Sequence, residues 1–326
     1  MIHNHPKALL NHWLNHKGDC AWVLATLVRT EGSSYRKPGA MMFINEYGQY
    51  FGMVSGGCID EDLLLHARKC LDANQCVYRI YDLSDEYEGQ GPELGCGGKI
   101  EVVLQPIRKD NQYLGLEELS TRLNSRLAAH YSLNIRSTTP DNHCVTPNTN
   151  AELSSDYVTF RLEPPKHLLI IGGGVDAIPV AQLAKQMGWE VSVYDPRTRN
   201  ARPSDFKGVD RLIRSPIATL PTLEVLTCIE GAVVMSHSVS IDAAGLTALN
   251  NSSAKYVALL GPSHRAEKVM SRAALTLSDL RYQLASPAGL NLGGDLPESI
   301  ALSIISEAHA YFARQTAHSL SGALHT

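Results

Sequence analysis

Apolar residues recur on two different periods along this chain, and the switches between them mark its elements. Residues 6–17 keep Ala8, Leu9, Trp13 and Leu14 on one helical face, which Gly18 ends. A continuous apolar run from Ala21 to Val28 then predicts a buried strand. Ala40 to Ile44 and Tyr50 to Val54 read as two more strands around a hairpin-like turn at Glu46-Tyr47-Gly48. From Ile59 the helical face returns as Ile59, Leu63, Leu64, Ala67 and Leu71, with Asp60, Glu61 and Asp62 in the first turn, where the helix dipole favours anions. Strands at 77–81 and 99–104 follow, separated by an acidic loop over 82–92 that reads as solvated surface. Residues 106–165 change character. A helical pattern at 114–127 gives way to a polar, turn-rich run at 137–150, so this stretch reads as an excursion or linker.

The strongest periodic unit begins at His167, where a strand runs into Gly172-Gly173-Gly174, a helix to Gly188, and a second strand from Trp189 to Asp195. Gly172, Gly174 and Ala177 satisfy the GxGxxG/A spacing, and strand, glycines, helix, strand and acid together predict a Rossmann unit. In that reading Gly172 permits the sharp turn, Gly174 admits a phosphate to the helix N-terminus, and Ala177 lets helix meet strand. Asp195 accepts from a ribose diol, whereas Arg197 pairs with a phosphate. Strands at 232–235, 256–260 and 282–285 each end in small or polar residues, which predicts a parallel sheet with His237, His264 and Arg265 beside Gly174 at its C-terminal edge. A glycine turn kept for structure alone, and His237 as an ordinary hydrogen-bonded loop histidine, are the alternatives.

Length and composition narrow the class. At 326 residues the chain is expected to be α/β, with a mixed α/β domain over 1–105, the linker over 106–165, a Rossmann-like domain over 166–313 and a polar tail over 314–326. A net charge of -4 with 19% charged residues leaves no basic footprint for nucleic acid. Seven cysteines form an odd set without a CxxC pair, which argues against a disulfide framework or a zinc ribbon and for a reducing cytoplasm. The first residues lack the apolar core of a signal peptide, and no run reaches the ~18 apolar residues of a membrane span. A soluble, cytoplasmic protein is therefore expected. His3, His5, His12 and His16 read as the polar face of the first helix rather than as a metal site.

Candidate chemistry centres on Phe51 to Asp62, which reads as strand, glycine turn and helix entrance. Cys58 stands at that entrance, where unsatisfied N–H groups favour an anion and three nearby acids oppose it. Gly56 and Gly57 let a ligand approach the main chain. A space-filling cysteine is the plainer alternative. A second glycine-flanked cysteine, Cys96, precedes the strand at 99–104, and the loop from Arg29 to Gly39 is crowded with small residues and cations.

These motifs resemble the XdhC/CoxI family, accessory factors of xanthine dehydrogenase and related molybdenum hydroxylases. Glu31 to Met42 is similar to the family's GSSPR loop, Gly56-Gly57-Cys58-Ile59-Asp60 to its GGCxE segment, and Gly95 to Gly98 to its CGG motif. Gly172 to Gly174, Asp195 to Arg197, Ser236-His237, Leu260 to Arg265, Pro287 to Gly289 and Pro297 to Ser303 follow the family's Rossmann-like domain in order. Tyr35 in place of proline, Ser55 in place of glycine, and Ser238-Val239-Ser240 depart from it.

The resemblance implies that the protein binds molybdenum cofactor, helps it acquire sulfur from a cysteine desulfurase, and passes it to an apo-molybdenum hydroxylase. It carries cofactor binding to Ser33, Ser34, Arg36, Lys37, Gly56, Gly57, Cys58, Cys96 and Gly97, with Cys58 and Cys96 on the metal, and to Gly172, Gly174, Asp195, Arg197, His237 and Arg265. The Cys58 and Cys96 turns are expected to share one pocket with the Ser33 to Gly39 loop. A homodimer is compatible with the resemblance. The ligand of the Rossmann crevice, whether NAD(P), another nucleotide, the cofactor's own phosphate or nothing, stays open. An NAD(P)-dependent oxidoreductase with a thiol couple at Cys58 and Cys96 is the competing class, with His237 its one evident acid/base candidate.

Overall fold

The computed structural model describes residues 3–82, 98–145 and 155–323. The chain divides into two compact units, Met1–Pro164 and Pro165–Thr326. The first carries helix α1 (Pro6–His16), strands β1 (Trp22–Gly32), β2 (Met41–Asn45) and β3 (Tyr50–Gly52), helix α2 (Asp60–Ala73), and strands β4 (Val77–Asp82) and β5 (Gly98–Ile107). Among the described residues these strands form one antiparallel sheet in the order β3-β2-β1-β5-β4. Both faces of β1 are buried, which is why its sequence reads as an unbroken apolar run. Trp22, Leu24 and Val28 pack with α1, while Val23, Ala25 and Leu27 pack with Leu63, Ala67 and Cys70 of α2.

The stretch 106–165, read as an excursion or linker, carries regular elements among its described residues. It holds helix α3 (Leu116–Asn124) and strands β6 (Ala129–Asn134), β7 (Asn142–Val145) and β8 (Tyr157–Leu162), the strands paired as a second antiparallel sheet. Leu116, Leu119, Tyr131, Leu133 and Phe160 belong to the same apolar cluster as Leu9, Trp13 and Phe43, so this segment completes the core of the first unit.

The second unit contains β9 (His167–Ile171), α4 (Ala177–Gln186), β10 (Glu190–Tyr194), β11 (Arg211–Ile213), β12 (Gly231–Val234), α5 (Val239–Leu249), β13 (Tyr256–Leu259), α6 (Ser263–Ala273), β14 (Gln283–Ala285) and α7 (Pro297–Ala313). Its strands are all parallel in the order β11-β10-β9-β12-β13-β14, as the Rossmann reading expects. Leu168 and Ile170 of β9 face the cluster that α4 and α7 cover, and Leu169 and Ile171 face the cluster under α5. The strand order reverses between β9 and β12, so the Gly172 turn and Ser236-His237 emerge side by side at the C-terminal edge. No helix among the described residues is long and apolar enough to cross a membrane.

Candidate functional site

In the first unit a small recess of about 10 Å³ is lined by Ser34, Tyr35, Arg36, Val54, Ser55, Gly56, Cys58 and Ile100. Buried Val54 and Ile100 give it an apolar wall. The Cys58 turn and residues 34–36 of the Ser33 to Gly39 loop line this recess together. Ser55 braces the turn: its Oγ accepts from the Gly57 N–H at 3.1 Å and donates to Asp60 at 3.4 Å. Gly57 sits at φ 107° with nothing near its missing side chain, so the turn stays open on that side. On the facing loop the Ser34 hydroxyl donates to the Arg36 carbonyl at 2.8 Å. Ser33 and Lys37 are exposed on the same loop.

Two features suit the recess to an anion or a metal-bearing ligand on chemical grounds. The Nε of Arg36 is buried and has no hydrogen-bond partner, which leaves a cationic donor without an acceptor. The start of α2 at Ile59 has no side-chain cap, so beyond the Asp60 N–H, which donates to the Gly57 carbonyl at 3.4 Å, the first turn has no side-chain acceptor of its own. Cys96 and Gly97 lie outside the described residues. Among the described residues, no three His, Cys, Asp or Glu side chains are placed to hold a metal ion, the N-terminal histidines included. His5 instead caps α1, its Nδ1 accepting from the Lys7 N–H at 3.2 Å.

In the second unit Gly172 makes a sharp turn, and Asp195, Arg197 and Arg265 are engaged by groups of the chain itself. Gly172 has φ 118°, and a Cβ there would lie 2.6 Å from the backbone of Met235 and Ser236, so the turn requires glycine. Asp195 is fully buried. Its Oδ1 accepts from the Arg197 N–H and Nε, both at 2.9 Å, and its Oδ2 from the Gly173 N–H at 2.8 Å, Arg197 Nη2 at 2.7 Å and Asn200 Nδ2 at 2.9 Å. Arg265 is likewise turned inward, pairing with the buried carboxylate of Asp242 and donating to the Leu260 carbonyl at 3.0 Å. Arg197 and Arg265 thus neutralise buried aspartates. His264 is exposed. His237 holds the left-handed conformation, φ 60°, and its Nε2 lies 2.6 Å from Asp176 Oδ2.

Sequence reasoning missed Asp176 and Asp242. The signal for Asp242 is its position as the lone charge in the helix 239–249.

Burial alone raises the Asp195 carboxyl, but the hydrogen bonds from Arg197, Gly173 and Asn200 outweigh it and hold the group at about 2. A depressed carboxylate stabilises the fold fully above its unfolded value near 4, and that stability is lost as pH falls toward 2, in total roughly 2 kcal/mol. The urea midpoint of the wild type is expected to drop more between pH 5 and pH 3 than that of Asp195→Asn, which starts lower but lacks this titration. Parallel pH profiles for the two proteins would refute the assignment.

Two family models match the chain: one described as the XdhC and CoxI family over residues 16–82, the other as the XdhC Rossmann domain over residues 168–308. A protein of Bacillus subtilis (strain 168) described as a probable xanthine dehydrogenase subunit is 29% identical over 308 residues, covering 87% of this chain and 91% of that protein. The molybdenum cofactor insertion chaperone PaoD of Escherichia coli (strain K12) is 26% identical over 211 residues, 62% of each chain. A crystal structure described as a xanthine dehydrogenase from Bacillus halodurans aligns with a TM-score of 0.82 at 25% identity, covering 97% of this chain and 98% of that one.

Proposed function

We propose that this chain, which belongs to the XdhC/CoxI family, is a cytoplasmic accessory protein that binds molybdenum cofactor and delivers it to an apo-molybdenum hydroxylase of the xanthine dehydrogenase type. The observation that carries the reading is the recess that joins Cys58 to Arg36 and Ser34, with a buried guanidinium nitrogen that lacks an acceptor. When bound, the cofactor supplies a molybdenum centre that takes soft sulfur ligands and a phosphate that takes cations. Cys58, with Cys96, offers the sulfur. Arg36 and Lys37 offer the charge, and Gly56 leaves the main chain accessible to a flat ligand. A cysteine desulfurase supplies the terminal sulfur while the cofactor is held here, before transfer. The names of the Bacillus subtilis and Escherichia coli relatives support the same assignment.

The test is metal and pterin analysis of protein purified anaerobically from a host that makes the cofactor. Wild type is expected to retain molybdenum and pterin in equal amounts. Cys58→Ala is expected to lose most of both, and Arg36→Ala to weaken retention by about tenfold, the cost of one charge-assisted contact. Wild-type protein without either, or a Cys58→Ala variant that retains both, would end the proposal.

A further inference from the structure

We infer that the glycine turn of the second unit excludes NAD(P) and other dinucleotides, because the chain's own side chains fill the seats that ribose and phosphate would take. A Rossmann site needs a free acid at the end of the second strand, free N–H groups on the turn, and an open approach to the glycines. Here the acid is occupied, one N–H of the turn is occupied, and a carboxylate stands over the glycines.

Asp195, the acid in question, is fully buried and accepts from five donors, so a carboxylate with about four lone-pair sites has no capacity left for a ribose diol. One of those donors is the Gly173 N–H, a group the turn would otherwise offer to a ligand. The segment after Arg197 folds back over the turn: Ala201 N–H donates to the Gly173 carbonyl at 2.9 Å, and a Cβ on Gly173 would lie 2.6 Å from that of Ala201.

Asp176 closes the third approach. Its Oδ1 lies 2.8 Å from where a Cβ on Gly174 would stand, and its Oδ2 is held by His237 at 2.6 Å. A carboxylate therefore covers the glycine at which a pyrophosphate would approach α4, and a bound phosphate would have to displace it or meet it as a like charge. Asp176 is the movable barrier of the three, since its partner His237 is 64% exposed whereas Asp195 is sealed. The exclusion is independent of what the first unit holds.

Isothermal titration of the full-length protein with NADH and, separately, inorganic pyrophosphate tests this. Wild type is expected to show no saturable binding of either up to about 1 mM. Asp176→Ala, checked for native circular dichroism, is expected to bind pyrophosphate at least tenfold more tightly while still rejecting NADH, because the Asp195 seat stays closed. Saturable micromolar binding of NADH to wild type would overturn the inference. An Asp176→Ala or Asp176→Asn variant with no gain for pyrophosphate would overturn the role given to Asp176.

Discussion

Replacing Arg265 with alanine is expected to cost the second unit about 3–5 kcal/mol, the range for removing one partner of a buried ion pair. The reason lies in what is left behind. Asp242 is fully buried on α5, and its Oδ1 already accepts from the Ser236 N–H at 3.1 Å and the Ser236 hydroxyl at 2.5 Å. Those neutral donors orient the carboxylate but do not balance its charge, which the Arg265 guanidinium pairs with at Oδ2. The same guanidinium ties the Leu260 carbonyl, at the end of β13, to the end of β12. Its loss therefore strands a charge and releases two adjacent strand ends. Arg265→Lys keeps the charge but cannot reach both acceptors with one fork, and is expected to fall between the alanine variant and wild type. Hydrogen exchange read on peptides covering 231–236 and 256–260 measures the effect locally. The double variant Asp242→Ala, Arg265→Ala is expected to cost clearly less than the sum of its singles. Strict additivity, or a loss under about 1 kcal/mol for Arg265→Ala, would show that the pair does not act as a unit.

What the sequence makes legible is whatever depends on neighbours along the chain. The glycine turn, α4 and the second strand form one local pattern, and the unbroken apolar run of β1 records a sheet covered on both faces. The Cys58 turn and the cationic loop are each readable as loops of the right composition, and both contribute to the recess. Partnerships across the fold are a different matter. Asp195 and Arg265 have the residue types of a ligand site, and their sequence positions say nothing of the donors and carboxylate that occupy them. The Asp176–His237 contact spans 61 positions. Residues 106–164 mislead because serine, threonine and asparagine dominate their turns, while the buried alternation Ala129, Tyr131, Leu133 covers only three positions.

That same segment gives the second large effect: Tyr131→Ala is expected to destabilise the first unit by about 3–5 kcal/mol, the range for removing a buried aromatic ring. A residue in a solvated linker would be silent to the same change. Tyr131 is completely buried, and burial pushes its phenol well above the usual range, so the hydroxyl stays protonated and donates to the Leu114 carbonyl at 2.8 Å. It also accepts from Asn142 Nδ2 at 2.8 Å. Asn142 in turn exchanges hydrogen bonds of 2.7 and 2.8 Å with buried Gln105 of β5. One polar chain thus runs from the five-stranded sheet through β7 and β6 to the turn before α3, inside an apolar cluster that also holds Trp13 and Phe43. Truncation at Tyr131 removes the ring from that cluster and breaks the chain at its centre. Tyr131→Phe keeps the ring and removes only the hydroxyl, leaving the Leu114 carbonyl and one Asn142 proton without partners, for about 1–2 kcal/mol. In a Trp189→Phe background, urea denaturation followed by the fluorescence of Trp13 and Trp22 separates the packing and polar parts as the difference between the two variants. If both unfold at the wild-type midpoint, the three-stranded sheet does not share the first unit's core; if they fall equally, the hydroxyl network carries the loss and the ring's packing does not.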